Sequence, residues 1–314
     1  MRIAVFGSGA VGGYFGARLL QAGEAVYLIA RGEHLRAIRS QGLRVSGASG
    51  DFTVYPQGTT DNPAEVGEVD LVLVGVKAWQ VAEAAVAMRP LVGENTTVLP
   101  LQNSVEAPFE LAEVLGREAV LGGLCQISAY IAAAGVIHHV GIEPTVIFGE
   151  LDRRRTPRLE AIRALFERAG VKAVIAEDIH VALWDKFLFI TALGAVGAAS
   201  RVSSGLIWQV PHTRRLLEEV MHEIWKVAQA SGVPLPVEAI SRRLSFIERM
   251  PPQTMASMAR DLIEGRPSEL DQLIGAVVRL GEQHKVETPL SRALYAALLP
   301  QEWLARGKLI PPQS

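Results

Sequence analysis

The fold is decided by the stretch Ile3-Ala4-Val5-Phe6-Gly7-Ser8-Gly9-Ala10-Val11-Gly12, near the start of a chain of 314 residues. An apolar run precedes the pattern G-x-G-x-x-G, and helical periodicity follows it from Val11 to Ala22. A buried strand that turns directly into a helix is the context in which this pattern binds a dinucleotide. Gly7 then makes the tight turn, Gly9 lets the pyrophosphate approach the backbone, and Gly12 lets the helix pack closely on the strand.

The residues between these glycines belong to the same predicted cofactor site. Ser8, Ala10 and Val11 complete the turn at the N-terminus of the helix. That terminus supplies N–H groups and a positive potential to phosphates. The structural alternative is a glycine-rich turn that holds no ligand.

The end of the second predicted strand indicates which dinucleotide is bound. The strand Ala25–Ala30 is followed by Arg31, where NAD-binding sites place Asp or Glu against the ribose 2′-hydroxyl. A guanidinium suits a 2′-phosphate instead, so the sequence predicts NADPH. Glu33, two residues on, weakens this preference, and a solvated surface arginine is the alternative.

The two halves of the chain have different periodicities. In the first half, apolar runs alternate with helical patterns, which predicts an N-terminal Rossmann domain with a doubly wound α/β sheet over residues 1–176. Residues 177–314 predict an all-helical domain, and a cleft between the domains is the expected ligand site. Further strands are expected at Val69–Val76, Thr96–Leu101, Ala119–Ile127 and Thr145–Gly149. The helices of the second half are expected at Ile179–Leu193, Thr213–Ser231, Pro236–Met250, Ser268–His284 and Leu290–Leu299.

Composition narrows the class of partner. The 31 basic residues nearly balance the 33 acidic ones, so we expect no nucleic acid or anionic membrane as a partner, although a small anionic ligand is allowed. Cys125 is the single cysteine, and no Cys/His cluster has metal-ligand spacing, so no metal is predicted. No signal peptide or membrane span is recognised, which favours a cytoplasmic protein.

Two polar residues lie just after predicted strands. Lys77 comes after Val69–Val76, and Asn103 comes shortly after Thr96–Leu101. The carboxyl ends of strands face the ligand crevice in open α/β sheets, which makes both side chains candidates for ligand binding. The alternatives are a solvated lysine at a helix start, and a helix cap formed by Asn103 or Ser104.

Lys186 lies in a strongly apolar helical stretch. A lysine there is costly unless it is exposed or paired, and Asp185 points elsewhere on the helix. Partial burial lowers the pKa of a lysine and suits it to donate a proton, whereas snorkelling to solvent is the alternative. Glu269 and Asp271 are candidate carboxylates, with Ser268 expected to cap the helix and Glu269 in its first turn.

The motifs together resemble the ketopantoate reductase family, the 2-dehydropantoate 2-reductases, over nearly the whole chain. The resemblance implies a helical domain like that of 6-phosphogluconate dehydrogenase. It also implies NADPH-dependent reduction of 2-dehydropantoate to pantoate, on the route to pantothenate and coenzyme A. It rests on Gly7–Tyr14, Val76–Ala78, Gln102-Asn103, Gly135–His138, Phe148–Glu150, Trp184–Lys186, Ser257–Asp261 and Gly265–Asp271.

The resemblance also implies roles for individual residues. Lys186 is the general acid, and Glu269 is the carboxylate near it and the substrate hydroxyl. Ser257 contacts the substrate carboxylate, while Asn103 and Lys77 hold the substrate and the nicotinamide ribose.

One departure from the family keeps the substrate open. The family usually has asparagine four and eight residues after the lysine, and this chain has Ile190 and Gly194. Either a more apolar 2-keto acid is reduced, or ketopantoate is held with fewer polar contacts. A non-catalytic NADP(H) sensor and a β-hydroxyacid dehydrogenase also remain open, as do a homodimer and substrate contacts of Arg201 and His180.

Overall fold

A computed structural model describes residues 1–310 of the chain. The strands are β1 Arg2–Phe6, β2 Ala25–Ile29, β3 Leu43–Gly47, β4 Phe52–Val54, β5 Gly58–Thr60, β6 Leu71–Val74, β7 Thr97–Pro100, β8 Leu121–Gln126, β9 Ala129–Ala133, β10 Val136–His139, β11 Thr145–Glu150 and β12 Lys172–Ile175. The α-helices are α1 Ala10–Gln21, α2 Gly32–Gln41, α3 Val81–Ala87, α4 Ala107–Leu115, α5 Pro157–Arg168, α6 Ile179–Ser200, α7 Ser204–Gln209, α8 Pro211–Ala230, α9 Glu238–Glu248, α10 Ser257–Ile263, α11 Ile274–His284 and α12 Pro289–Ala305.

The chain forms two compact units. The first covers Met1–His180, and the second begins at Val181. The second predicted domain, 177–314, includes residues 311–314, which lie outside the described residues.

A parallel sheet covered on both faces forms the centre of the first unit, as the sequence predicts. Its strand order is β5-β2-β1-β6-β7. Alternate side chains of β1 enter two separate cores, because successive residues of a strand point to opposite faces. Ile3 and Val5 pack in a cluster that includes α1, and Ala4 and Phe6 pack in a cluster that includes α3 and α4.

Two smaller sheets complete the first unit. One has the order β4-β3-β10-β9 and the other β12-β11-β8. Five strands of this unit were not predicted because they are three to five residues long and carry exposed or mixed side chains: β3, β4, β5, β9 and β10. So few residues give no clear apolar alternation, even in β3, where Leu43 and Val45 are buried.

The described part of the second unit, through residue 310, contains helices and no strand. Helix α6 is longer than the predicted Ile179–Leu193, since Gly194 and Gly197 continue it to Ser200. Among the described helices, α6 alone is long and apolar enough to cross a membrane. Its most apolar window is 67% buried, as in the core helix of a globular protein.

The helix expected at Ser268 begins at Ile274 instead. Ser268 therefore does not cap α11, and Glu269 does not lie in its first turn. Residues 264–273 form turns and irregular backbone between α10 and α11. Helices α7 and α10 were not predicted because six or seven residues carry too little periodicity.

Candidate active site

The glycine-rich turn has the geometry that its three glycines require. Gly7 has φ +92°, in the region that favours glycine. A Cβ added at Gly12 would lie 2.3 Å from the carbonyl oxygen of Gly7, so the turn closes only without a side chain there. By contrast, a Cβ added at Gly9 would meet no atom within 4 Å, which leaves open space at the start of α1.

The polar groups of Ser8 are used inside the turn. Its hydroxyl donates to the carbonyl oxygens of Val5 and Ile29, at 3.3 and 3.1 Å, and its N–H donates to Ile29 at 3.0 Å. The first bond along α1 runs from Gly13 N–H to the carbonyl oxygen of Gly9, at 2.7 Å. The N–H groups of residues 10–12 precede this bond and have no acceptor within the helix. Cofactor contact by Ser8 stays a prediction.

The segment directly after β6 packs on this turn. A Cβ added at Gly75 would lie 2.7 Å from both the Cα of Gly12 and the carbonyl oxygen of Gly7. A Cβ at Gly7 would likewise lie 2.6 Å from the N atom of Val76. Lys77, the next residue, is exposed, and its Nζ lies 5.6 Å from the ring centroid of Trp79. The predicted lysine therefore directly follows the two residues after β6 that touch the turn.

Gln102 joins the ends of two neighbouring strands. Its Nε2 donates to the carbonyl oxygens of Val74 and Val76, at 2.8 and 3.0 Å. These bonds fix the segment after β7, which carries half-buried Asn103, beside the segment after β6. Ser104, rather than Asn103, accepts from the N–H groups at the start of α4, at 3.1 and 3.2 Å. The structure therefore brings Lys77 and Asn103 to one edge of the sheet.

Arg31 lies two residues after β2, which pairs with β1, and is largely solvent-exposed. Its guanidinium lies 3.9 Å from the carboxylate of Glu83, and the two side chains are 67% and 75% exposed. An ion pair between two such exposed side chains contributes little to stability. Glu33 contacts Arg36 at 3.8 Å.

Lys186 lies half-buried in the first half of α6. Its neighbour Asp185 forms ion pairs with Arg242, at 3.5 Å, and with Arg243. Arg243 also donates to the carbonyl oxygen of Asp185 at 3.1 Å. Asp185 thus binds α9, consistent with its predicted direction away from Lys186 on the helix.

Ser257 begins α10, which packs against α6 at Gly194. A Cβ added at Gly194 would lie 2.9 Å from the Cε of Met258 and 3.9 Å from the Cβ of Ala256. Gly194 is eight residues after Lys186, a rise of about 12 Å along the same helix face. The structure therefore places Ser257 beside the helix that carries the lysine.

Glu269 lies in the irregular segment between α10 and α11 and is 6% exposed. Asp271, two residues on, accepts from the hydroxyl of Tyr295 at 2.6 Å. The imidazole of His180 bonds the carbonyl oxygen of Leu151 at 2.9 Å, and Arg201 is exposed just after α6.

Sequence reasoning missed the side chains that hold the candidate residues in place. His34 Nε2 lies 2.9 Å from the carbonyl oxygen of Ser8. Gln102 joins the strand ends, and buried Glu302 binds Ser268. Gln102 could have been singled out, because it is a polar residue next to Asn103 at a strand end. Nothing in the sequence around His34 or Glu302 indicates what these two side chains contact.

A parallel sheet with a glycine-rich turn, followed by an all-helical unit, defines the class of two-domain Rossmann-type oxidoreductases. Residues 3–153 match the family described as Ketopantoate reductase PanE/ApbA, and residues 178–302 match its C-terminal part. The chain therefore belongs to the ketopantoate reductase family.

Individual proteins agree with this assignment. A 2-dehydropantoate 2-reductase from Halobacterium salinarum is 31% identical over 295 residues, covering 94% of this chain and 96% of the relative. The crystal structure of a PanE/ApbA family ketopantoate reductase from Ralstonia eutropha JMP134 has a TM-score of 0.89 and 32% identity, and covers 98% of this chain and 100% of the other.

The same fold also occurs with another named activity. D-mandelate dehydrogenase, in a ternary structure with NADH and anilino(oxo)acetate, has a TM-score of 0.89 at 23% identity, covering 98% of this chain and 99% of that one. This likeness concerns the fold alone. The fold therefore does not by itself decide which 2-keto acid or which nicotinamide cofactor is used.

Proposed function

We propose that this protein reduces 2-dehydropantoate to (R)-pantoate with NADPH. The observation that carries the proposal is the sheet edge at which the turn of Gly7, the segment of Lys77 and the segment of Asn103 meet. Ligands of open α/β sheets bind at the carboxyl ends of the strands, and this edge is such a place. Family membership supplies the reaction class.

The turn fits the phosphates of a dinucleotide. The open space at Gly9 allows a ligand to approach the backbone, and the early N–H groups of α1 point to the same end of the helix. Ala10 and Val11 would bind through these N–H groups, while Gly12 keeps the turn closed. When bound, the reduced nicotinamide supplies a hydride to the keto carbon of the substrate.

Arg31 supports NADPH rather than NADH. It follows β2, where the adenosine ribose is recognised in this fold, and its guanidinium is exposed apart from the weak pair with Glu83. A 2′-phosphate offers a stronger partner than a carboxylate held in open solvent.

Lys186 is proposed as the proton donor. As the keto carbon accepts the hydride, negative charge grows on the carbonyl oxygen. The Nζ ammonium stabilises this charge and then transfers a proton to the oxygen, which becomes the new hydroxyl. Glu269 is the carboxylate assigned to hold the lysine in its charged form and to accept from a substrate hydroxyl.

The remaining assignments concern orientation. Ser257 is assigned to the substrate carboxylate, and Asn103 and Lys77 to the substrate and the nicotinamide ribose. These residues are polar and short or flexible, which suits them to fix the keto carbon without taking part in proton transfer.

A more apolar 2-keto acid is the second candidate substrate. Ile190 lies on the face of Lys186, and Met258 occupies the space next to Gly194. Both side chains are apolar: half-buried Ile190 presents methyl groups to a substrate, and Met258, 2% exposed, puts no polar group beside Gly194. A hydroxyl of 2-dehydropantoate finds no hydrogen-bond partner on these apolar side chains. An alkyl or aryl group of another 2-keto acid would therefore bind here more favourably.

The test is steady-state oxidation of NADPH with 2-dehydropantoate and with 2-keto acids that carry larger alkyl or aryl groups, repeated with NADH. A higher kcat/KM for 2-dehydropantoate supports the first candidate, and a higher value for an apolar acid supports the second. If NADPH is bound but no acid is reduced, the protein is not a reductase of this class and the sensor alternative gains support.

A further inference from the structure

The carboxylate assigned to the reaction sits on backbone that no helix or strand holds. Glu269 lies in the irregular stretch 264–273, although Ser268, Glu269 and Leu270 are at most 6% exposed. A buried loop must satisfy its polar groups through other contacts. Those contacts hold the backbone from which the Glu269 side chain projects.

Helix α12 binds the segment immediately before Glu269. The fully buried carboxylate of Glu302 accepts from the N–H of Ser268, at 3.1 and 3.0 Å to its two oxygens, and from the Ser268 hydroxyl at 2.5 Å. Arg306 donates to Glu302 at 2.5 Å and to the carbonyl oxygen of Ser268 at 2.8 Å. Every polar group of Ser268 is therefore bound by the end of this helix.

The same helix binds the segment just after Glu269. The hydroxyl of Tyr295 donates to Oδ1 of Asp271 at 2.6 Å, and Arg279 of α11 donates to the Asp271 carbonyl oxygen at 2.9 Å. Burial, together with the Asp271 carboxylate, raises the pKa of Tyr295 to about 12. The hydroxyl thus keeps its proton and remains a donor at any working pH.

Tyr295 and Glu302 are seven residues apart, which puts them on one face of α12 two turns from each other. One face of a single helix therefore holds residues on both sides of Glu269. We propose that Glu302 and Tyr295 are positioning residues for Glu269, an inference that rests on the proposed role of Glu269 in the reaction.

Glu302 must be a carboxylate for this arrangement. Its two oxygens meet an amide N–H, a hydroxyl and a guanidinium, all of which donate. A carboxylate only accepts, whereas the NH₂ group of glutamine would face one of these donors. Glu302→Gln thus changes the hydrogen bonding with little change in volume.

The chain offers a matched control in Glu223. This buried carboxylate accepts from the N–H groups of Leu290 and Ser291, at 2.9 and 2.8 Å, and from the Ser291 hydroxyl at 2.7 Å. Like Glu302, it accepts from a serine N–H and hydroxyl, with a second backbone N–H in place of the arginine, but it holds the start of α12 and not the segment 264–273.

The experiment compares Glu302→Gln, Tyr295→Phe, Glu223→Gln and Glu269→Gln in the full chain. We measure kcat and KM for the 2-keto acid, the Kd for NADPH, and hydrogen–deuterium exchange of peptides over 264–273. Glu302→Gln is expected to speed exchange in 264–273 and to lower kcat by about tenfold, the effect of one lost charged hydrogen bond. The Kd for NADPH should change by less than about twofold, because the glycine-rich turn lies in the other unit.

Tyr295→Phe removes one hydroxyl and is expected to fold, with a smaller change in the same two quantities. Glu223→Gln should speed exchange at the start of α12 and leave kcat near the wild-type value. Unchanged exchange over 264–273 in both Glu302→Gln and Tyr295→Phe overturns the inference, and so does an equal loss of kcat in Glu223→Gln. If Glu269→Gln leaves kcat unchanged, the proposed role of Glu269 fails, and exchange alone then decides whether α12 holds the segment.

Discussion

The imidazole of His34 donates from Nε2 to the carbonyl oxygen of Ser8, at 2.9 Å, inside the glycine-rich turn. The direction of the bond follows from the other ring nitrogen, since Nδ1 accepts from the N–H of Gly135 at 3.0 Å and so carries no proton. The neutral ring therefore connects the turn to the start of β10. Burial lowers the pKa of His34 below its ordinary value, although the bond to Ser8 opposes this.

This connection predicts a pH-dependent stability. Because the pKa is lower in the folded protein than in the unfolded chain, the contribution of His34 is complete above the ordinary value of 6.5 and is lost as pH falls below it. The difference in Tm between the wild type and His34→Gln should therefore shrink between about pH 7.5 and pH 5. His212→Gln, at an exposed histidine of α8, is the control, and a difference that grows on acidification contradicts the prediction.

The second and third glycines of G-x-G-x-x-G, Gly9 and Gly12, predict opposite outcomes for the same substitution. Gly12→Ala would place a Cβ 2.3 Å from the carbonyl oxygen of Gly7, so the backbone must move. Such overpacking costs about 1–3 kcal/mol or more, and the Tm should fall. Gly9→Ala meets no atom within 4 Å and should leave the Tm near the wild-type value.

Gly9→Ala should weaken cofactor binding although it leaves the Tm unchanged. The methyl group of Gly9→Ala enters the open space assigned to the phosphates, so the Kd for NADPH should rise by about tenfold or more, a cost of about 1.4 kcal/mol. Fluorescence titration with NADPH and thermal unfolding separate the two effects. A Gly9→Ala protein that binds NADPH like the wild type would show that the phosphates lie elsewhere.

Arg31 predicts how the protein discriminates between the two nicotinamide cofactors. Arg31→Ala should raise the Kd for NADPH by about 10- to 100-fold, the worth of a charged hydrogen bond to a 2′-phosphate. The Kd for NADH should change little, because a hydroxyl makes no comparable bond. Arg36→Ala, at an exposed arginine of α2, is the control. If Arg31→Ala raises the Kd for NADPH and the Kd for NADH equally, Arg31 does not discriminate between the cofactors.

The sequence predicted those parts of the fold that a short apolar pattern controls. Residues 3–12 predict β1, the turn and the start of α1, because the turn requires glycine at Gly7 for its positive φ and at Gly12 for a close contact, while Gly9 leaves open space at the helix start. The parallel sheet and the helical second half follow from periodicity in the same way. Strand β9 could not be predicted, since its four exposed residues show no alternation.

In the candidate site, too, some residues could be predicted from a local pattern and others could not. Lys77 and Asn103 could be found because they follow strands, and strand ends have a known direction. Lys186 stood out as a charge in an apolar helix. The contacts of Glu302 with Ser268 join residues 34 positions apart, and a pairing of that kind depends on how helices pack rather than on any local pattern.

Lys186 gives the most direct test of the proposed chemistry. Lys186→Met keeps a long side chain suited to a helix but removes the proton donor, and kcat should fall by about 10²- to 10⁴-fold, the usual range for a general acid. The Kd for NADPH and the Tm should stay near their wild-type values, since the ammonium serves the carbonyl oxygen and not the fold. Lys226→Met, at an exposed lysine of α8, is the matched control and should turn over normally. If Lys186→Met retains wild-type kcat, another group donates the proton, and the assignment of Glu269 as the partner of Lys186 falls with it.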